Sequence, residues 1–159
     1  MTEYEYLSAV RSFLLTYPYP APYDIIQVDH EAIIQGRGSD RNSAGAALML
    51  TGDTIISRRR SVTGRETHTK RINFALVMWR ATNDDEFRRD IANSLTRLIG
   101  WINSENAKRK TPDANSSLPK FSMTATETIS ATGGMRTMIL EGGRSEYQIQ
   151  IHCDYQIVY

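Results

Sequence analysis

TKRINFALVMWR, residues 69–80, is the stretch on which the fold turns. As an extended segment it alternates: Ile72, Phe74, Leu76 and Met78 face one way, and Asn73, Ala75, Val77 and Trp79 face the other. Apolar groups on both faces predict a central strand, covered on both sides over part of its length. A second segment supplies its natural neighbour. In YQIQIHCDYQIVY, residues 147–159, Tyr147, Ile149, Ile151, Cys153, Tyr155, Ile157 and Tyr159 share one face. Gln148, Gln150, His152, Asp154 and Gln156 share the other, the pattern of a half-buried strand with one wet side.

Outward from this pair the periodicity changes to that of helices. Phe87, Ile91, Leu95, Leu98 and Ile102 form one apolar stripe, bordered by Trp101, and predict a helix over Asp84–Glu105. Asn83 is its expected cap, with Glu86 at capping-box spacing. Asp84, Asp85 and Glu86 suit the positive end of the helix dipole. Near the N-terminus Leu7, Val10, Phe13 and Leu14 mark a helix over Glu3–Thr16, opened by a Thr2/Glu5 capping box. Pro18, Pro20 and Pro22 stop it. The remaining expectations are an extended stretch over Asp24–Gln35, the loop GRGSDRNSAG, and a short strand Ala46–Leu50. Thr54–Val62 is expected to form a hairpin with Thr69–Arg80 around Gly64. TPDANSSLP reads as a linker, followed by strands over Phe121–Ile129 and Arg136–Leu140. The order predicts one α+β domain over residues 1–159: a mixed or antiparallel sheet with two helices packed on one face.

Composition sets limits. At 159 residues and 40% hydrophobic, the chain can bury one ordinary core. No apolar run approaches the ~18 residues of a spanning helix. MTEYEYLSAVRSF lacks a basic region followed by an apolar stretch, so no signal peptide is expected. The single cysteine, Cys153, rules out an intrachain disulfide and, with that, any cysteine cluster for metal. The net charge of +1 conceals an asymmetry. Residues 35–80 carry nine Lys/Arg against three Asp/Glu, and the rest carry ten against fifteen. Such a division suits head-to-tail docking between copies, and equally a solvated basic loop.

Catalytic signatures are missing from the sequence. Gly36 and Gly38 begin a G-x-G, but Arg41 stands where a dinucleotide fingerprint needs its third glycine. No GK[ST] follows a glycine-rich loop, and there is no G-x-S-x-G or H-E-x-x-H. His30, between Asp29 and Glu31 on an extended chain, is a poor chelate because neighbours point in opposite directions. Alternation likewise separates Cys153 from His152 and Asp154, so the thiol reads as a small hydrophobe. Asn115-Ser116-Ser117 matches a glycosylation sequon, without a secretion signal to give it meaning. The expectation is no catalytic residue, no cofactor and no metal. The conspicuous chemistry is basic: Arg58, Arg59, Arg60, Arg65, Lys70 and Arg71, on two predicted strands and their connection, form a candidate protein-interaction site. They could also neutralise phosphates, although no aromatics are interleaved for base stacking.

The chain resembles the small tail-terminator and minor-capsid-type proteins of phages and prophages of Gram-positive bacteria. The likeness spans most of the chain. It rests on the helix ending in FLLTYPYP, the extended IIQVDH, and the strand KRINFALVMWRAT. It continues in the helix NDDEFRRDIANSLTRLIGWINSENAK and the closing YQIQIHCDYQIVY. The stretch RRRSVTGRETHTKR is more basic than the turn expected there. The resemblance implies a non-enzymatic virion protein, made in the host cytoplasm and placed at the head-proximal end of the tail. It implies a homo-oligomeric ring, typically a hexamer, that caps the tail tube and stops its polymerisation. Its expected partners are further copies, the tail tube protein and the head–tail connector protein, with DNA passing transiently through the lumen and no membrane contact. A head-tail connector or head-completion role is the alternative, followed by a basic nucleic-acid-binding module.

Overall fold

Alternation and helical stripes meet in one layer of strands and one of helices. The computed structural model describes residues 2–23, 25–28, 45–81, 84–108, 118–121, 124–140 and 142–159. Several expectations lie outside the described residues: the extended chain beyond Val28 with His30, most of the GRGSDRNSAG loop, Asn83 and the Asn115 sequon.

Helix α1 spans Glu3–Leu14 and opens on the predicted capping box. The Thr2 hydroxyl accepts from the Glu5 N–H, and the Glu5 carboxylate accepts from the Thr2 N–H at 2.7 Å. It ends slightly earlier than the sequence predicts. The N–H groups of Thr16 and Tyr17 turn back to the carbonyls of Phe13 and Leu14, tightening the last turn before the prolines. Strand β1 is Ile25–Gln27, β2 is Gly45–Arg60 and β3 is Glu66–Ala81. Helix α2 covers Asp85–Lys108. Asp84 caps it: its Oδ1 accepts from the Glu86 N–H at 2.8 Å, and its carbonyl accepts from Arg88 N–H. Two-residue strands β4 (Lys120–Phe121) and β5 (Thr124–Ala125) pair with each other. Strand β6 spans Thr128–Leu140 and β7 spans Arg144–Val158.

The main sheet has the order β1-β2-β3-β7-β6. β1 runs parallel to β2, and the other four strands are antiparallel. TKRINFALVMWR is indeed central, paired with β2 on one side and β7 on the other. Both helices lie on one face. Leu7, Val10, Phe13 and Leu14 of α1 join Ile91, Leu95, Leu98 and Ile102 of α2 in one core. They meet Leu48, the even-numbered apolar residues of β3, and Ile149, Ile151 and Cys153 of β7. Each such side chain contributes ~1.5–3 kcal/mol by leaving water. Trp101 stacks on Phe13 with ring centroids 4.9 Å apart. On the opposite face Ala47, Val77 and Trp79 form a smaller cluster, with the Trp79 indole donating to Glu146 at 3.0 Å.

Four expectations need correction. Ala46–Leu50 and Thr54–Val62 are not separate strands. A bulge between Leu50 and Gly52 absorbs the irregularity, and β2 continues unbroken to Arg60. Arg136–Leu140 is the outer half of β6, because Gly133-Gly134 forms a bulge rather than a break. Gly134 has φ +76 and sits so close to α2 that a Cβ would lie 2.8 Å from Ile99 Cδ1, so glycine is required there. Phe121–Ile129 is not one strand, since the Thr126 N–H and hydroxyl both donate back to the Pro119 carbonyl and turn the chain. Phe87 is exposed rather than part of the stripe, because α2 reaches past the core at its first turn.

Candidate interaction site

The basic residues gather on the outer part of the β2–β3 hairpin. Its turn, Ser61 to Arg65, is closed by backbone bonds from Ser61 N–H to the Arg65 carbonyl and from Gly64 N–H to the Ser61 carbonyl. Gly64 supplies the left-handed position, φ +85. Every β2 residue from Asp53 to Arg60 is exposed, while β3 is half-buried between its two neighbours. The hairpin is therefore not a free two-stranded arm. Strand β7 supports β3 as far as Val158, opposite Thr67, and the Tyr159 N–H reaches the Glu66 carbonyl.

Register divides the six candidate residues. Arg58 pairs with His68 and Arg60 with Glu66, on the helix side of the sheet. Arg59, opposite Thr67, points to the other side. Arg65 lies in the turn. These four arginines are held in no ion pair among the described residues. Lys70 and Arg71 are engaged within the fold. Lys70 binds Asp53 at 2.8 Å and lies 5.9 Å above the Tyr6 ring, and the bond to Asp53 raises its pKa. Arg71 holds Asp154 with two bonds, at 2.9 and 3.0 Å, which raise its pKa further. At the outer end the His68 ring binds the Glu66 carboxylate at 2.8 Å. That bond, with smaller contributions from Arg60 and Arg58, lowers the pKa of Glu66.

Beneath Lys70 an aromatic group anchors the base of this region. The Tyr6 and Tyr155 hydroxyls are 2.8 Å apart, and both rings pack on Phe121, with centroids at 5.3 and 5.2 Å. Cys153 is buried below them, and burial pushes its thiol pKa up, which makes it a poor nucleophile. His152 turns to the wet face and bonds to Asn73. Among the described residues no three His, Cys, Asp or Glu side chains could hold a metal ion, and no helix is long and apolar enough to cross a membrane.

Sequence reading missed the exposed apolar residues. Ile55, Ile56 and Val62 accompany the arginines on β2 and the turn, and Met135, Met138 and Ile139 stand exposed on outer β6. The signal was present as apolar residues on segments with no polar alternation. A shallow depression of about 390 Å³, lined by Tyr19, Arg97, Gly100, Trp101 and Ser104, was also not anticipated. No model of a known protein family matches the chain, and no curated protein matches it in sequence.

Proposed function

We propose that this chain is a non-enzymatic structural subunit of a phage-type virion that assembles into a ring, typically a hexamer, at the head-proximal end of the tail. The ring caps the tail tube, stops its polymerisation and joins the tube to the head–tail connector. The observation that supports this reading best is the outer hairpin, where Arg58, Arg59, Arg60 and Arg65 are exposed on an extension of the sheet backed by β7. Arginine forks of this kind pair with carboxylates on a protein surface. Arg58 and Arg60 project on one side of the sheet and Arg59 on the other. A surrounding protein partner can use both sides, whereas a flat phosphate track would use one.

The test is assembly. Light scattering of the purified chain should show a ring-sized species, either alone or on addition of purified tail tubes, and electron microscopy should place it at one tube end. A chain that stays monomeric in the presence of tubes overturns the proposal. Steeply salt-dependent duplex binding by that monomer would instead favour a nucleic-acid-binding module.

A further inference from the structure

We propose that Asn103 and Asn106 of α2 are an edge guard: their side-chain amides stand in for a further strand along the inner half of β6 and keep it from pairing with a strand of a second copy. The inference is independent of the ring reading.

An account of backbone hydrogen bonds along β6 leads to it. Among the described residues β6 pairs only with β7, so its other side is a sheet edge. In an antiparallel ladder every second residue turns both its N–H and its C=O to that side. Ile129 and Ala131 are such residues, and both find partners on α2. The Asn103 amide donates to the Ala131 carbonyl at 3.1 Å and accepts from the Ala131 N–H at 2.8 Å. The Asn106 amide binds the Ile129 carbonyl and N–H in the same way. A primary amide carries the donor and the acceptor of a peptide group on one side chain. Two of them reproduce the bonds that an incoming strand would make to these two residues.

The rest of α2 supports the cover. Asn106, Asn103, Ile99 and Leu95 share one face of the helix, at spacings that bring side chains together. That face runs antiparallel to β6, from Ile129 through Ala131 to Gly134. A Cβ on Gly134 would lie 2.8 Å from Ile99 Cδ1 and 3.5 Å from Leu95 Cβ, so glycine lets the helix approach the strand closely. Asparagine is a poor helix former, because its amide competes for backbone groups. Here both amides are committed to β6.

The edge needs this cover. TISATGG, residues 128–134, contains no charged residue and no proline. Charged side chains and prolines are the devices that otherwise keep an edge from recruiting strands, and a covering helix is the remaining one. An extended, uncharged segment without proline is of the kind that stacks with copies of itself.

Hydrogen exchange of the full chain under native conditions is the first measurement. The Ile129 and Ala131 amides should exchange as slowly as those of β3, within roughly ten-fold, although no strand lies beside them. Free exchange at both in the folded parent overturns the guard. The second measurement uses Asn103→Ala combined with Asn106→Ala. In that variant the same two amides should exchange about a hundred-fold faster than in the parent, while β3 amides keep their rates. The variant should also associate, with rising concentration, into a species that binds thioflavin T and that the parent does not form. Faster exchange without that association leaves only a clamp between helix and strand and overturns the guard, as does a double variant that behaves like the parent. Should the double variant fail to fold, Asn103→Ala alone decides. Exchange should quicken at Ala131 and not at Ile129, with slower association of the same kind, and a single variant indistinguishable from the parent overturns the proposal.

Discussion

The two ends of β2 have the same backbone and opposite surroundings. At the inner end Ala46, Ala47 and Leu48 are buried, against Met78, Val77 and Leu76 of β3. At the outer end Arg58, Arg59 and Arg60 keep the same antiparallel pairing with His68, Thr67 and Glu66, yet all three arginines are exposed and their partners only half-buried. The inner end is held by apolar burial. The outer end is held by the backbone ladder, its support from β7, and the polar contacts of Asp53, Lys70, Arg71 and Asp154. One strand therefore serves as core at one end and as contact surface at the other, and substitutions at the two ends should behave differently.

The largest effects belong to the inner end. Leu95→Ala on α2 and Ile151→Ala on β7, both within the core, should each cost about 2–5 kcal/mol in urea denaturation. Variants that unfold with the parent's midpoint would erase the distinction. A smaller loss is expected for Gly134→Ala, where a non-glycine residue at positive φ costs ~1–2 kcal/mol before any displacement of Ile99. Denaturation midpoints would again measure it, and a neutral result would mean that the bulge relaxes without strain.

At the outer end, changing Arg58, Arg59 and Arg60 together to Gln should alter stability by no more than ~0.5 kcal/mol for each substitution, as surface substitutions usually do. The same variant should lose ring assembly or tube capping in light scattering, and raised salt should mimic part of the loss. Unchanged capping would reduce the arginines to a solvated face. The smallest effect concerns pH. The His68 bond, helped by Arg60 and Arg58, holds the pKa of Glu66 below its ordinary value of 4.5. Its contribution is therefore present above that value and lost as pH falls through the lower, folded-state pKa. NMR signals of His68 and Glu66 should shift across that acid range while the inner core signals stay in place, and Glu66→Gln should remove the local transition.

Much of this protein was legible in local patterns. The alternation of residues 69–80 and 147–159, the stripe from Ile91 to Ile102 and the Thr2/Glu5 box each report burial or capping decided within a few residues. So does the burial of Cys153 away from His152 and Asp154, while the placement of both helices on one face followed from the order of elements along the chain. The candidate site was legible as a cluster of charge, but its division was not. Lys70 pairs with Asp53 across the hairpin, and Arg71 pairs with an aspartate 83 residues away. The bulges that keep β2 and β6 continuous, and the asparagines of α2 that cover Ile129 and Ala131, likewise depend on which segments the fold brings side by side. Hydrophobic periodicity is written locally because each apolar side chain responds to the same core. A polar side chain bonds to whichever group lies within about 3 Å, and distant parts of the chain supply that group only after the sheet has formed.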